Sequence, residues 1–155
     1  MSDIDSTLAA RFIASPNYDE RADATVDILV LHYTGMPDAE GALARLCDPQ
    51  AKVSSHYFVY ENGEIVQLVS EAHRAWHAGV SRWHHWTDIN SRSIGIEIAN
   101  PGHDGGCPPF PLPQIEAVIA LGRDIAGRWP IPPEQVLAHS DIAPSRKQDP
   151  GEIFP

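Results

Sequence analysis

The run Ile28-Leu-Val-Leu-His32-Tyr-Thr constrains this chain more than any other segment. Its unbroken apolar residues have the length and composition of a buried strand, so the chain must build a sheet to enclose it. Ser93 to Asn100 supplies a second strand by alternation: Ile94, Ile96 and Ile98 point one way, Gly95 and Glu97 the other. Ser55 to Tyr60 and Glu64 to Val69 flank Glu61-Asn62-Gly63, a hairpin signal because Asn-Gly takes positive φ readily. Gln135 to Ala138 reads as a last short strand running into His139. Helical composition covers Asp38 to Cys47, with Leu43, Leu46 and Cys47 on one side. Pro113 to Trp129 is the clearest helix, with Ile115, Val118, Ile119, Ile125 and Ala126 as its apolar stripe and Pro130 as its stop. Strands and helices alternate only in part, which predicts an α/β fold with a central mixed β-sheet flanked by α-helices. At 155 residues the chain is one domain, expected over 26–155, with 1–25 as a polar N-terminal arm. Residues 71–92, rich in His, Trp and Arg, read as a long functional loop.

The chemistry concentrates at strand ends. His32 closes the first apolar run, and His139 opens the loop His139-Ser-Asp-Ile-Ala-Pro-Ser-Arg-Lys147-Gln-Asp149-Pro-Gly. Two distant strand-terminal histidines can meet at one sheet edge, and Asp149 adds an anionic oxygen. That trio is the ligand set of a catalytic zinc with one open position. Lys147, two residues before Asp149 in an extended segment, would face the same side, where its ammonium could stabilise a developing oxyanion. Glu97 lies opposite three isoleucines, and a carboxylate there needs a partner or an acid/base role. Each residue alone has an ordinary reading: a hydrogen-bonded histidine at the core's edge, a turn aspartate before Pro150, a solvated lysine, a Glu97 salt bridge to Arg92. The combination points to a zinc hydrolase.

Bulk properties narrow the alternatives. A formal net charge of -10 argues against nucleic-acid binding. No segment approaches the roughly 20 apolar residues of a membrane span. Cys47 and Cys107 form no Cys-x-x-Cys pair, so they read as reduced thiols, with one disulfide open if the protein is exported. The N-terminus has acids where a signal peptide needs bases, so a cytoplasmic location is expected; a trimmed leader would look the same. A serine hydrolase lacks its Gly-x-Ser-x-Gly elbow.

Five segments together resemble the zinc-dependent N-acetylmuramoyl-L-alanine amidases of the AmpD and AmiD type, a fold shared with phage amidases and peptidoglycan recognition proteins. They are Ile28 to Thr34, Ser55-His-Tyr-Phe-Val-Tyr60, Ala75-Trp-His-Ala-Gly79, Ser93-Ile-Gly-Ile-Glu97-Ile and Ala138 to Gly151. The resemblance implies one Zn2+ per chain held by His32, His139 and Asp149, with Glu97 and Lys147 as the catalytic pair. It implies that Tyr33, Trp76, His77 and Asn100 line the substrate groove. The implied reaction hydrolyses the amide between N-acetylmuramic acid, or its 1,6-anhydro form, and L-alanine in peptidoglycan or muropeptides. The oligomeric state is not implied. Family members usually continue beyond Asp-Pro-Gly, whereas this chain stops at Glu152-Ile-Phe-Pro155, so a minimal form or a shortened C-terminus is expected. With no wall-binding module and an acidic surface, soluble muropeptides are expected in preference to intact wall.

Two other readings stay open. His73 and His77, at i and i+4 with Glu71 nearby, could form a rival metal site, although the His-Glu-x-x-His pattern is missing. Otherwise both histidines line the groove, and Trp76, Trp83 or Trp86 offers a stacking face. The fold could also serve as a non-catalytic muropeptide-binding module.

Overall fold

The computed structural model describes residues 4–22 and 25–155. Those parts of the leader and arm expectations that fall on residues 1–3, 23 and 24 lie outside the described residues. The strands are β1 (Arg11–Phe12), β2 (Tyr18–Glu20), β3 (Ile28–Tyr33), β4 (Tyr57–Val59), β5 (Ile65–Gln67), β6 (His73–Ala75), β7 (Ser93–Ile98) and β8 (Val136–Ala138). The helices are α1 (Ala39–Leu46), α2 (Leu112–Arg128) and the single-turn α3 (His139–Ile142). Six strands form one sheet in the order β1-β5-β4-β7-β3-β8. Only the β4–β5 hairpin is antiparallel; the remaining pairings in this sheet are parallel. The sheet is therefore mixed, as the partial alternation predicted.

Strand periodicity divides the sheet into two faces. On one, Leu29, Tyr57, Val59, Ile94, Ile96 and Ile98 pack against Val118, Leu121 and Ile125 of α2. On the other, α1 covers Phe58 and Val66 with Ala42, Leu43 and Leu46. Next to it, Ile28 and Val30 pack with Ala78, Ile89, Leu137 and Ile142. Asp38 caps α1 by accepting from the Gly41 amide at 2.6 Å. The α2 stripe differs from the expected one in two places. Ile119 is exposed, while Leu121 and Gln114 are buried. Gln114 is inside because its amide donates to the carbonyls of Val59 and Ala99 at the strand ends, a pairing no apolar stripe can predict.

The expected N-terminal arm is paired into the structure. β1 runs parallel to β5, and Ser15 N–H donates to the Leu68 carbonyl. The 71–92 segment is also more ordered than a loop, because β6 pairs antiparallel with β2. Both partners are too short to announce themselves; each exists because the other satisfies its backbone groups. Glu71 tethers this region to α2. Its carboxylate accepts from Tyr57 Oη, from both terminal nitrogens of Arg128 and from Trp129 Nε1. Cys47 and Cys107 are free thiols. No helix among the described residues is long and apolar enough to cross a membrane.

Candidate metal centre

His32 and Glu97 are register partners on adjacent parallel strands, and both lie on the face opposite α2. β8 runs beside β3 and delivers His139 at the start of α3. That start is held by Asp141, whose carboxylate accepts from Ala138 N–H at 2.8 Å. The chain then returns so that the Asp149 carbonyl accepts from Ser140 N–H. Three side chains that are far apart in sequence thereby converge. His32 Nδ1 and His139 Nδ1 stand 2.9 Å apart, and each is 3.2 Å from Asp149 Oδ2. All three residues are buried.

The spacing suits a metal. In a tetrahedral site with bonds of about 2.0–2.1 Å, ligand atoms stand about 3.3 Å apart. Proton placement argues the same way. His139 Nε2 faces the Ala78 carbonyl at 2.9 Å, and a carbonyl can only accept. Neutral His139 therefore carries its proton on Nε2 and turns a lone pair into the pocket. His32 Nε2 sits 3.0 Å from His77 Nδ1, and His77 Nε2 sits 3.0 Å from Ser93 Oγ. Donation along that chain presents the His32 Nδ1 lone pair as well. Two lone pairs and a carboxylate oxygen then crowd one point, an arrangement that a cation relieves. Burial, only partly offset by the neighbouring Asp149 carboxylate, lowers the His32 pKa to about 4, so the ring is neutral at pH 7.

The remaining predicted residues divide. The groove, about 350 Å³, is lined by Tyr33, Trp76, His77, Glu97 and Lys147 together with the three convergent residues. Glu97 Oε2 is shut from solvent with no hydrogen-bond partner, and Arg92, its suggested salt-bridge partner, pairs with Asp27 instead. Burial, reinforced by Asp149 and opposed by Lys147, raises the Glu97 pKa well above the ordinary carboxylate value. His77 lines the groove and also stands behind His32 as a support. Asn100 is turned away: its amide clamps the next loop, accepting from Gly102 N–H and donating to the Pro108 carbonyl. Trp83 and Trp86 pack on the core beneath the 78–92 loop. The rival trio is dispersed, with Glu71 held by Arg128, His73 stacked on Tyr18 and His77 buried behind His32.

Sequence reasoning missed the support layer. Asn90 Oδ1 accepts from the amides of His77 and Ala78, and Arg146 donates to the Ala78 carbonyl. Gly95 was the available signal. A Cβ there would lie 2.6 Å from the His77 ring, and a glycine inside a strand often marks such a close approach.

Comparison with known proteins places the chain among relatives of one family. The family model described as N-acetylmuramoyl-L-alanine amidase matches residues 22–152. N-acetylmuramoyl-L-alanine amidase AmiD of Escherichia coli (strain K12) is 47% identical over 84% of this chain and 50% of its own length. The chain thus spans about half of that relative. 1,6-anhydro-N-acetylmuramyl-L-alanine amidase AmpD of Enterobacter cloacae is 34% identical, over 94% of this chain and 85% of its own. Among solved structures, the complex of E. coli AmiD with anhydro-N-acetylmuramic acid-L-Ala-D-gamma-Glu-L-Lys superposes with a TM-score of 0.76. It shares 43% identity and covers 90% of this chain and 63% of its own.

Proposed function

The chain belongs to the N-acetylmuramoyl-L-alanine amidase family, and from that premise we propose that it is a zinc amidase cleaving the bond between the lactyl group of N-acetylmuramic acid and L-alanine. One observation carries the reading: Glu97, with one carboxyl oxygen shut from solvent and without a hydrogen-bond partner, shares a groove with the convergent ligand atoms of His32, His139 and Asp149. In a module that only binds, that carboxyl would be a cost without a use.

His32, His139 and Asp149 would hold one Zn2+. When bound, the ion supplies an activated water at neutral pH and a Lewis acid for the scissile carbonyl. Glu97, with its raised pKa, accepts the water's proton and passes it to the departing alanine nitrogen. Lys147 offers positive charge where negative charge grows on the carbonyl oxygen. Trp76 and Tyr33 provide flat walls for sugar and peptide. The nature of the relatives favours a muropeptide with a 1,6-anhydro sugar end: AmpD is named for that group, and the AmiD complex contains it.

Mass spectrometry of anhydro-muropeptide and sacculus digests, run with zinc and with a chelator, tests this. Release of free stem peptide from the muropeptide, abolished by chelator, is the expected result. Intact substrate under zinc-replete conditions would overturn it.

A further inference from the structure

A second convergence of metal-binding side chains lies next to Tyr33, at the rim behind the groove-lining residues, and is unused by the reaction above. We propose that His103, Cys107 and Glu152 form a separate site for a divalent ion of the zinc class. The assignment does not depend on the His32–His139–Asp149 reading, because no ligand is shared.

Each of the three offers a ligand atom, and these atoms lie within 4.8 Å of one another. Imidazole, thiolate and carboxylate are the donors zinc accepts, in a set that leaves a fourth position for water. Two of the donors sit on one pinned turn. The Asn100 side chain closes the turn at Gly102 and Pro108, and Cys107 N–H donates to the Gly102 carbonyl at 2.9 Å. Cys107 itself has a positive φ of 49°, uncommon for a residue with a side chain. Glu152 reaches over from the segment after Asp149-Pro150-Gly151, its Oε2 2.9 Å from His103 Nε2. Ligand atoms on a bound ion need separations of about 3.3–3.7 Å. Glu152 is exposed, so its side chain is free to complete the closure.

Proton placement links the site to the groove. In the neutral His103 ring, Nε2 donates to the Glu152 carboxylate and Nδ1 accepts the Tyr33 hydroxyl proton at 2.9 Å. An ion on Nε2 forces the other tautomer, so Nδ1–H then donates to Tyr33 Oη. The ring's proton count is unchanged, and one proton leaves the Cys107 thiol for solvent. Tyr33 loses its acceptor, and its hydroxyl hydrogen turns toward the groove it lines. Loading the rim would thus change the hydrogen bonding offered to substrate.

Cobalt(II) titration of the full chain, with a phosphine reductant, tests the site directly. The His–His–Asp set holds no sulfur, so a thiolate-to-cobalt charge-transfer band reports the rim alone. We expect that band to rise with a second equivalent of cobalt, vanish in Cys107→Ser, and weaken more than tenfold in affinity in both His103→Ala and Glu152→Gln. It should persist in His139→Ala. Absence of the band in the wild type, its survival in Cys107→Ser, or indifference to both His103→Ala and Glu152→Gln would overturn the proposal.

Discussion

Glu71 and Glu97 each turn a carboxylate oxygen out of solvent, in opposite circumstances. Glu71 receives hydrogen bonds from Tyr57, Arg128 and Trp129, and Arg128 also pairs with Asp124. Glu97 has an oxygen with no partner and only Lys147 to favour its charge. A buried carboxylate that is fully paired joins elements together; here it fastens α2 to the sheet. One left unpaired weakens the fold and persists where chemistry needs a displaced pKa. The difference lies in surroundings, since the residue type is the same.

The comparison can be broken at several points. The largest effect is expected at Glu97→Ala: turnover falls by about 10² to 10⁴ while bound metal, read by elemental analysis, stays stoichiometric. The melting temperature should hold or rise, because an unsatisfied buried group is removed. A near wild-type rate would take Glu97 out of the reaction. Lys147→Ala should lower kcat by about 10² to 10³ with little change in KM; a pure KM effect would make it a substrate anchor. Glu71→Gln should do the converse of Glu97→Ala. Stability in urea drops by about 2–3 kcal/mol, less than the 3–5 of a fully buried pair because Arg128 is one-third exposed, with activity per folded molecule retained. His77→Ala should weaken metal affinity by about 10- to 100-fold, read by chelator competition, since it removes the partner that orients His32.

The smallest effect concerns acid. His56 is fully buried, with Nδ1 accepting from Gly95 N–H and Nε2 donating to the His73 carbonyl. Burial first, then the nearby Arg21, lowers its pKa to about 3, against weaker opposition from the His73 carbonyl and Asp5. Between pH 3 and 6.5 the unfolded chain takes a proton that the folded chain refuses. Stability from this group is complete above about 6.5 and falls as pH drops below it, by up to about 1.4 kcal/mol per pH unit. Urea midpoints from pH 7 to 5 should fall more steeply in the wild type than in His56→Asn. Equal slopes would refute the assignment.

Much of the fold was legible because it is periodic. Ile94, Ile96 and Ile98 announced both their strand and its buried face, and that alternation already separated Glu97 from them. The ends of α2 were readable from proline, while its stripe was misjudged at Ile119 and Gln114, where the answer lay in the neighbouring strand ends. β1, β2 and β6 were invisible, since two or three residues have no period and each is strand only through its partner. The members of the His32–His139–Asp149 cluster were nameable from the end of the first apolar run, the last loop and the resemblance they carry; that they meet was not. The His77–Ser93 support and the Asn90 bracket were not, as nothing in a linear chain marks which histidine stands behind which.

What the sequence by itself determined is therefore the local pattern: the apolar strands, the two long helices, the hairpin turn and the chemical types at the strand ends. These follow from short-range sterics and from the period at which apolar groups must recur to be buried. Only the tertiary structure decided which polar groups meet. The Glu71 and Glu97 environments, the His32–His77 pairing and the meeting of Cys107 with His103 and Glu152 all depend on strand order and loop return. Pairing between distant residues is fixed by how the sheet closes, and no neighbour in the chain carries that information.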